Sequence, residues 1–238
     1  MKWNSTSRTA LIKIESLLLR LFKEEPFHNL YHLYGKKPLT TKYGGTCTDK
    51  TLSFIHEARS LGFNAQLHTG YIQGEEIHRL ARVTINNRIF FADPGNGWPS
   101  LKLYPADEKI CFPCFGMFYR TEITNNKISV FHTRNNKEFL QLEINPIPRP
   151  DIEIKENINN RFNSDISYPF KGKLRFSLVV DNQFLFLRDE RLEIYSESEF
   201  SLIEGIKREL LPKILRERFR YESALLLKYL TDDSLNIK

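Results

Sequence analysis

Three residues of this chain combine a reactive side chain with a local setting that would sharpen its chemistry. Cys47 follows Gly44-Gly45-Thr46 and opens a segment with Leu52, Ile55, Ala58 and Leu61 at helical spacing, which predicts a helix from about Thr48 to a stop at Gly62-Phe63. The first turn of a helix has backbone N–H groups without intrahelical partners and the positive end of the helix dipole. A thiol placed there is drawn toward the thiolate, the competent nucleophile, and the same N–H groups can hold the oxyanion of a tetrahedral intermediate. Downstream, Ile77–Ile85 and Arg88–Asp93 read as two strands joined at Asn86-Asn87. If Ile85 faces Arg88, Asp93 falls opposite Leu80 and diagonal to His78, on the same side of the sheet. An aspartate in reach of a histidine fixes its tautomer and stabilises the imidazolium, leaving the other ring nitrogen for a thiol. Cys47, His78 and Asp93 are therefore a candidate catalytic triad, although spacing alone does not bring Cys47 to the hairpin. The same trio serves acyl transfer to amines or to water, so a cysteine peptidase or a transglutaminase-like hydrolase fits the bare pattern, and so does a non-catalytic partner-binding module.

These residues must be held by elements that the sequence also outlines. Leu11, Ile14, Leu18, Leu19 and Phe22 give residues 10–23 one apolar helical face, Pro26 ends that helix, and the stretch to Gly44-Gly45 reads as irregular. Beyond residue 63 the period changes: 65–72, 77–85, 88–93, 127–133, 138–144 and 174–180 are β-rich runs separated by Gly, Asn and Pro. A polar stretch from about Pro146 to Ser167 is the best linker candidate. From Ser196 a helical signal returns with Phe200, Ile203, Ile206, Leu210, Ile214 and Leu215, interrupted at Pro212.

Composition sets the outer bounds. In 238 residues, 41% are hydrophobic and 27% charged, which is the profile of a globular protein and excludes disordered, collagenous and coiled-coil classes. The net charge of +6 favours anionic ligands but is too diffuse to mark nucleic-acid binding, and no nucleic-acid partner is expected. No apolar run is long enough for a membrane span and the N-terminus lacks a signal-peptide core, so a soluble, cytoplasmic protein is expected. Three cysteines, Cys47, Cys111 and Cys114, exclude a disulfide scaffold. The Cys111-Phe112-Pro113-Cys114 motif lacks a second ligand pair for zinc and a thioredoxin-like context, which predicts reduced structural thiols. His28 and His32 lie beside Pro26, where helical ligand spacing is not assured, and no bound metal is expected. Lys207, Arg208, Lys213, Arg216, Arg218 and Arg220 form a basic run that reads as the wet face of a helix, with phosphate binding as an alternative.

Taken together, these motifs resemble the arylamine N-acetyltransferase family. Tyr43-Gly44-Gly45-Thr46-Cys47 is similar to its Arg-Gly-Gly-x-Cys nucleophile motif, Pro26-Phe27-His28-Asn29-Leu30 to its Pro-Phe-Glu-Asn-Leu segment, and Phe91-Ala92-Asp93-Pro94-Gly95-Asn96-Gly97 to the segment carrying its aspartate. Gly116-Met117-Phe118-Tyr119-Arg120 and Tyr168-Pro169-Phe170 are weaker landmarks. Tyr43 stands where the motif has Arg, His28 where it has Glu, and Asn96 where the loop has an aromatic residue. The resemblance implies an α+β, papain-like fold: a helical domain over 1–64 carrying the nucleophile, a β-barrel over 65–160 carrying His and Asp, and an α/β lid with a C-terminal helix over 161–238. It implies ping-pong transfer of an acetyl group from acetyl-CoA to an arylamine or related amine, with Cys47 as nucleophile, His78 as base and acid and Asp93 as orienting group. Acyl-CoA would be a co-substrate rather than a bound cofactor. Amide synthases that use carrier-bound acyl groups are related alternatives, as is a family member without catalysis. Acceptor, acyl length and oligomeric state are not written in the sequence.

Overall fold

The computed structural model describes residues 5–38, 40–160, 172–224, 226 and 228. Helical apolar spacing near the N-terminus produces α1 (Ser5–Glu24), which buries Ile14, Leu18 and Phe22 together with Leu17 and Leu21 and leaves Leu11 and Leu19 half-buried. The stretch that reads as irregular holds a two-residue strand, β1 (Phe27–His28), and a one-turn helix, α2 (Leu30–Leu33). Helix α3 (Cys47–Ser60) starts one residue earlier than the sequence predicts. It turns Phe54, Ile55 and Ala58 inward, whereas Leu52 and Leu61, expected on its buried face, are exposed. Its end is a Schellman turn: the Phe63 N–H donates to the Ala58 carbonyl at 3.0 Å, and Gly62, at φ +86°, donates to the Arg59 carbonyl at 2.9 Å.

The middle of the chain folds into strands β2 (Asn64–Ile72), β3 (Glu75–Ile85), β4 (Arg88–Ala92), β5 (Tyr104–Pro105), β6 (Cys111–Cys114), β7 (Met117–Thr124), β8 (Lys127–Arg134) and β9 (Lys137–Ile144). They form one antiparallel sheet in the order β5-β4-β3-β2-β9-β8-β7-β6, curled into a half-barrel. Three of its hairpins turn on Asn-Asn pairs, 86–87, 125–126 and 135–136, with φ between 48° and 64°. Two consecutive left-handed residues make a type I′ turn, whose twist matches that of the strands, and asparagine tolerates that conformation better than most residues. In the β3–β4 hairpin the turn sets Ile85 opposite Arg88 and Ala81 opposite Ala92, the register that places His78 and Asp93 on one side.

Helix α4 (Asp151–Asn160) occupies much of the polar stretch expected to be a linker. Ile154, buried, and Ile158 lie one turn apart and pack against the main core, so a narrow apolar stripe is enough to dock an otherwise polar helix. The rest of that stretch and the Tyr168-Pro169-Phe170 landmark fall mostly outside the described residues. A second sheet follows, with β10 (Arg175–Val180), β11 (Gln183–Arg188), β12 (Arg191–Tyr195) and β13 (Phe200–Ile203) in the order β1-β10-β11-β12-β13. Strand β13 corrects the helix expected from Ser196: Tyr195 pairs with Phe200 and Leu192 with Ile203, so ladder bonds to β12 win over a weak helical spacing. Downstream, a 3-10 turn at Arg208–Leu210 leads into α5 (Leu211–Glu217), and Pro212 sits in its first turn instead of interrupting it, because that turn needs no N–H from the residue. One core cluster joins α1 and α3 to the large sheet and to Phe184, Phe186 and Tyr195, and a second gathers Leu30, Phe176, Leu187, Leu215 and Phe219.

Candidate active site

The start of α3 is held from several directions. The Asp49 carboxylate accepts from the Thr46 N–H at 2.9 Å and lies 3.2 Å from its hydroxyl, capping the helix one residue before Cys47. Gly44 adopts φ +74°, and a methyl group on it would collide with the Pro26 carbonyl. That carbonyl accepts from the Gly45 N–H at 3.1 Å, and Gly45 in turn accepts from the His28 N–H at 2.9 Å. Buried Lys50 donates to the Leu21 carbonyl at 3.2 Å and to the Glu25 carbonyl, tying α3 to the last turn of α1. The Thr51 hydroxyl donates to the Arg79 carbonyl at 3.0 Å, one residue from His78. These bonds fix where the Cys47 sulfur stands relative to β3.

On the sheet side, His78 projects from β3 and Asp93 follows β4, both almost fully buried. The His78 Nε2–H donates to Asp93 Oδ1 at 2.8 Å, which leaves Nδ1 for the thiol. Gly70 is the register partner of His78 on β2, and its lack of a side chain leaves space beside the imidazole. Gly95 N–H approaches Asp93 Oδ1 at 3.4 Å, while the Gly95 backbone lies so close to Cys47 that a methyl group there would meet the Cys47 Cα and carbonyl. The loop carrying Asp93 thus packs directly on the first residue of α3. Cys47, His78 and Asp93 are brought together across three elements.

The electrostatics follow from this packing. Burial raises the pKa of the Cys47 thiol, but hydrogen bonding and charge from His78, with the nearby Arg79, outweigh it and leave it lowered. Burial alone would depress His78, yet the Asp93 charge and hydrogen bond, aided by Cys47, raise it to about 10. Thiolate and imidazolium stabilise one another. His28, the residue in place of Glu, is buried and stacked on Phe176. Its Nδ1 accepts from the Leu30 N–H at 3.3 Å, so its Nε2–H donates to the Tyr43 carbonyl at 2.8 Å, and burial lowers its pKa to about 4. His28 is a neutral post that braces the backbone ahead of Gly44-Gly45, with both ring nitrogens committed. Tyr221 O–H donates to the same Tyr43 carbonyl at 2.9 Å.

Cys47 and His78 open into a cavity of about 290 Å³ walled by Phe27, Trp98, Phe139 and Phe186, with Asn96 and four arginines, Arg79, Arg134, Arg175 and Arg188, in its lining. Nothing in the sequence pattern singles out Trp98 or the arginines. They lie on separate strands and loops, Arg79 on β3, Arg134 on β8, Arg175 on β10 and Arg188 on β11, which the tertiary fold turns to a common space.

The other sequence candidates lie elsewhere. Cys111 is exposed and Cys114 buried, as alternation along β6 requires, and both are free thiols. Burial pushes the Cys114 thiol up to about 12, and it donates to the Pro99 carbonyl at 3.2 Å. In the basic run, Lys207, Lys213, Arg216, Arg218 and Arg220 are exposed or half-buried, and none lines the cavity that holds Cys47. Among the described residues no cluster of three or more His, Cys, Asp or Glu could hold a metal ion, and no helix is long and apolar enough to cross a membrane.

No family model and no curated protein matches this sequence. Solved structures do. A glutamine-for-cysteine variant of a Mycobacterium smegmatis arylamine N-acetyltransferase superposes with a TM-score of 0.77 at 15% identity, covering 91% of this chain and 88% of that one. The Nocardia farcinica arylamine N-acetyltransferase gives 0.76 at 18% identity, with 95% and 89% covered. The fold is that of the arylamine N-acetyltransferases. A Mycobacterium marinum arylamine N-acetyltransferase solved in complex with CoA gives 0.74 at 16% identity, with 92% and 89% covered. The half-barrel and the helices packed on it are therefore a shared architecture.

Proposed function

We propose that this chain is an acyl-CoA-dependent N-acyltransferase that moves an acetyl group from acetyl-CoA to an arylamine or related amine through a thioester on Cys47. The observation that carries the reading is the approach of a helix-opening cysteine to a buried, aspartate-bound histidine at the mouth of an aromatic cavity. The shared fold and the CoA held by the Mycobacterium marinum protein support it. On this reading residues 1–64 supply the nucleophile, residues 65–160 supply His78 and Asp93, and residues 161–238 form the lid, whose strands contribute Arg175, Phe186 and Arg188 to the cavity.

The chemistry follows from the charge state. The Cys47 thiolate attacks the thioester carbonyl, and the N–H groups of the opening turn of α3 stabilise the oxyanion. The carbon–sulfur bond to CoA breaks, and the departing thiolate takes the proton from the His78 imidazolium. Acylation also removes the negative charge on Cys47 that helps hold that proton, so His78 becomes a weaker acid-holder and a usable base. The amine then attacks the acyl-cysteine, His78 accepts its proton, and the Cys47 thiolate is expelled as the amide leaves. Asp93 keeps Nε2 protonated and Nδ1 toward the reaction throughout.

Intact-protein mass spectrometry after mixing with acetyl-CoA tests this directly. The expected result is a single acetyl adduct on Cys47, absent in Cys47→Ala and discharged by an aromatic amine. No adduct with acetyl-CoA or other short acyl thioesters would overturn the reading.

A further inference from the structure

The β3–β4 ladder stops one rung short on the side where the nucleophile stands. Ala81 faces Ala92, and the same register carried two residues further sets Arg79 opposite Pro94. Rungs of an antiparallel pair fall on alternate residues, so Ile85, Val83 and Ala81 lead next to Arg79. Proline has no N–H and cannot complete that rung. Helix α3 takes the open edge instead: the Arg79 carbonyl accepts from the Thr51 hydroxyl at 3.0 Å. The N–H of Arg79 leaves the strand on the same side as its carbonyl, and so does the carbonyl of Ile77 two residues back. Cys47, one helical turn before Thr51, meets that edge, with its sulfur 4.0 Å from the Ile77 carbonyl.

The Arg79 side chain carries a charge that the protein does not otherwise match. It is 6% exposed and lines the cavity that opens onto Cys47. Its guanidinium donates to the main-chain carbonyls of His78 at 2.9 Å and Glu76 at 3.4 Å, and its Nε is buried without a partner. The Glu76 carboxylate pairs with Arg149 at 2.5 Å instead. The other three arginines of the cavity have carboxylates: Arg175 faces Asp189 at 3.4 Å, and Arg134 and Arg188 share Glu193. Among the described residues Arg79 has none in ion-pair range. A guanidinium cannot shed its proton, and a buried charge is costly until it is paired. Near the sulfur the remaining charges are committed: Asp93 accepts from His78 at 2.8 Å, and Asp49 accepts from the Thr46 N–H at 2.9 Å. The anion left for Arg79 is the sulfur itself. Its charge and a hydrogen bond from its main chain are both among the influences that lower the Cys47 thiol.

We propose that Arg79 is a second cationic support of the nucleophile, holding Cys47 as a thiolate through its main-chain N–H and its guanidinium independently of His78. The inference rests on the acyl-transfer reading above and adds a positioning residue to it. The consequence falls on the second half-reaction. As the amide leaves, the bond between the acyl carbon and sulfur breaks with its electron pair on sulfur, while the amine proton goes to His78. Arg79 stays protonated throughout, so the expelled thiolate meets a cation that does not titrate.

The test is the pH profile of Cys47 alkylation by iodoacetamide, read by intact mass. Arg79→Met keeps an apolar stem and removes the charge. Its acid limb should move up by about one pH unit, the lower end for loss of an opposite charge, so that below the limb the rate falls about tenfold. Arg79→Gln should give the same shift while its amide can still meet the His78 carbonyl, which covers a fold that needs that bond. Arg79→Lys should restore most of the limb's position. The high-pH plateau reads access and packing, so a changed plateau with coincident limbs makes Arg79 structural and overturns the proposal. In a His78→Gln background the Arg79→Met shift should persist; a shift that vanishes there means that Arg79 acts only through His78, which also overturns it. Single-turnover acetylation by acetyl-CoA should fall by the same factor as alkylation, and a fall confined to acetylation would assign Arg79 to the donor instead. Alkylation needs no acyl donor. Failure of Cys47 to acetylate therefore overturns the transfer reading, while the alkylation limbs still decide whether Arg79 supports the thiolate.

Discussion

Replacing Asp93 by asparagine separates charge from shape at the centre of the site. The amide would keep an oxygen for the His78 Nε2–H, now at 2.8 Å, and for the Gly95 N–H, but would remove a buried negative charge. An opposite charge at this range shifts a titration by about one to three pH units, at ~1.4 kcal/mol per unit. Asp93 is the largest support for the imidazolium, and it holds His78 at about 10 against a depressing burial. Without it the imidazolium weakens, and the thiolate that it stabilises weakens too, so the Cys47 pKa rises toward the ordinary thiol value of about 8.5. The alkylation rate of Cys47 by iodoacetamide, followed by intact mass from about pH 4 to about pH 10, reads the thiolate fraction. The acid limb should move up by about one to three pH units in Asp93→Asn. At neutral pH the rate should fall about tenfold or more, and the curves should converge at high pH. Coincident acid limbs would refute the coupling of Asp93 to Cys47 through His78.

Three further outcomes are expected. The raised His78 pKa contributes stability that is full below about 6.5 and lost as pH rises toward about 10, whereas the lowered Cys47 pKa contributes stability that is present above about 8.5 and lost as pH falls. The two offset each other between those values, so the melting temperature of the unsubstituted chain should hold to about pH 8.5. That of Cys47→Ala, with only His78 remaining, should start to fall from about pH 6.5. Gly95→Ala should lower stability by about 1–3 kcal/mol in urea denaturation and raise the acid limb of Cys47 alkylation, because its methyl meets the Cys47 backbone rather than a movable side chain. Asn87→Ala should cost about 1 kcal/mol by the same denaturation assay, since alanine at φ 64° carries the left-handed penalty.

The β3–β4 hairpin was legible because each of its determinants is local. Asn86-Asn87 selects the turn, the turn selects the register, and a side-chain period of two sends His78 and Asp93 to the same side. The helix behind Cys47 was legible for the same reason, through Gly44-Gly45-Thr46 before it and Gly62-Phe63 after it. Local spacing misled where an element is decided by its neighbour. Phe200 and Ile203 carry a helix-like interval, but β12 offers their backbone a ladder, and the polar run at 151–160 becomes α4 through one narrow stripe on the core.

By itself, the sequence determined which side chains can act and which of them share a sheet face, because turn chemistry and side-chain periodicity reach only a few residues. Tertiary structure alone decided that the Cys47 sulfur faces His78, through Lys50 of α3 bonded to the Leu21 carbonyl of α1, Thr51 bonded to the Arg79 carbonyl and Gly95 against the start of α3. It also gathered Arg134 and Arg188 around one carboxylate on the far wall of the same cavity. Contacts of this kind join residues dozens of positions apart, and no local interval in the chain encodes a distance between two elements that become neighbours only when the core closes.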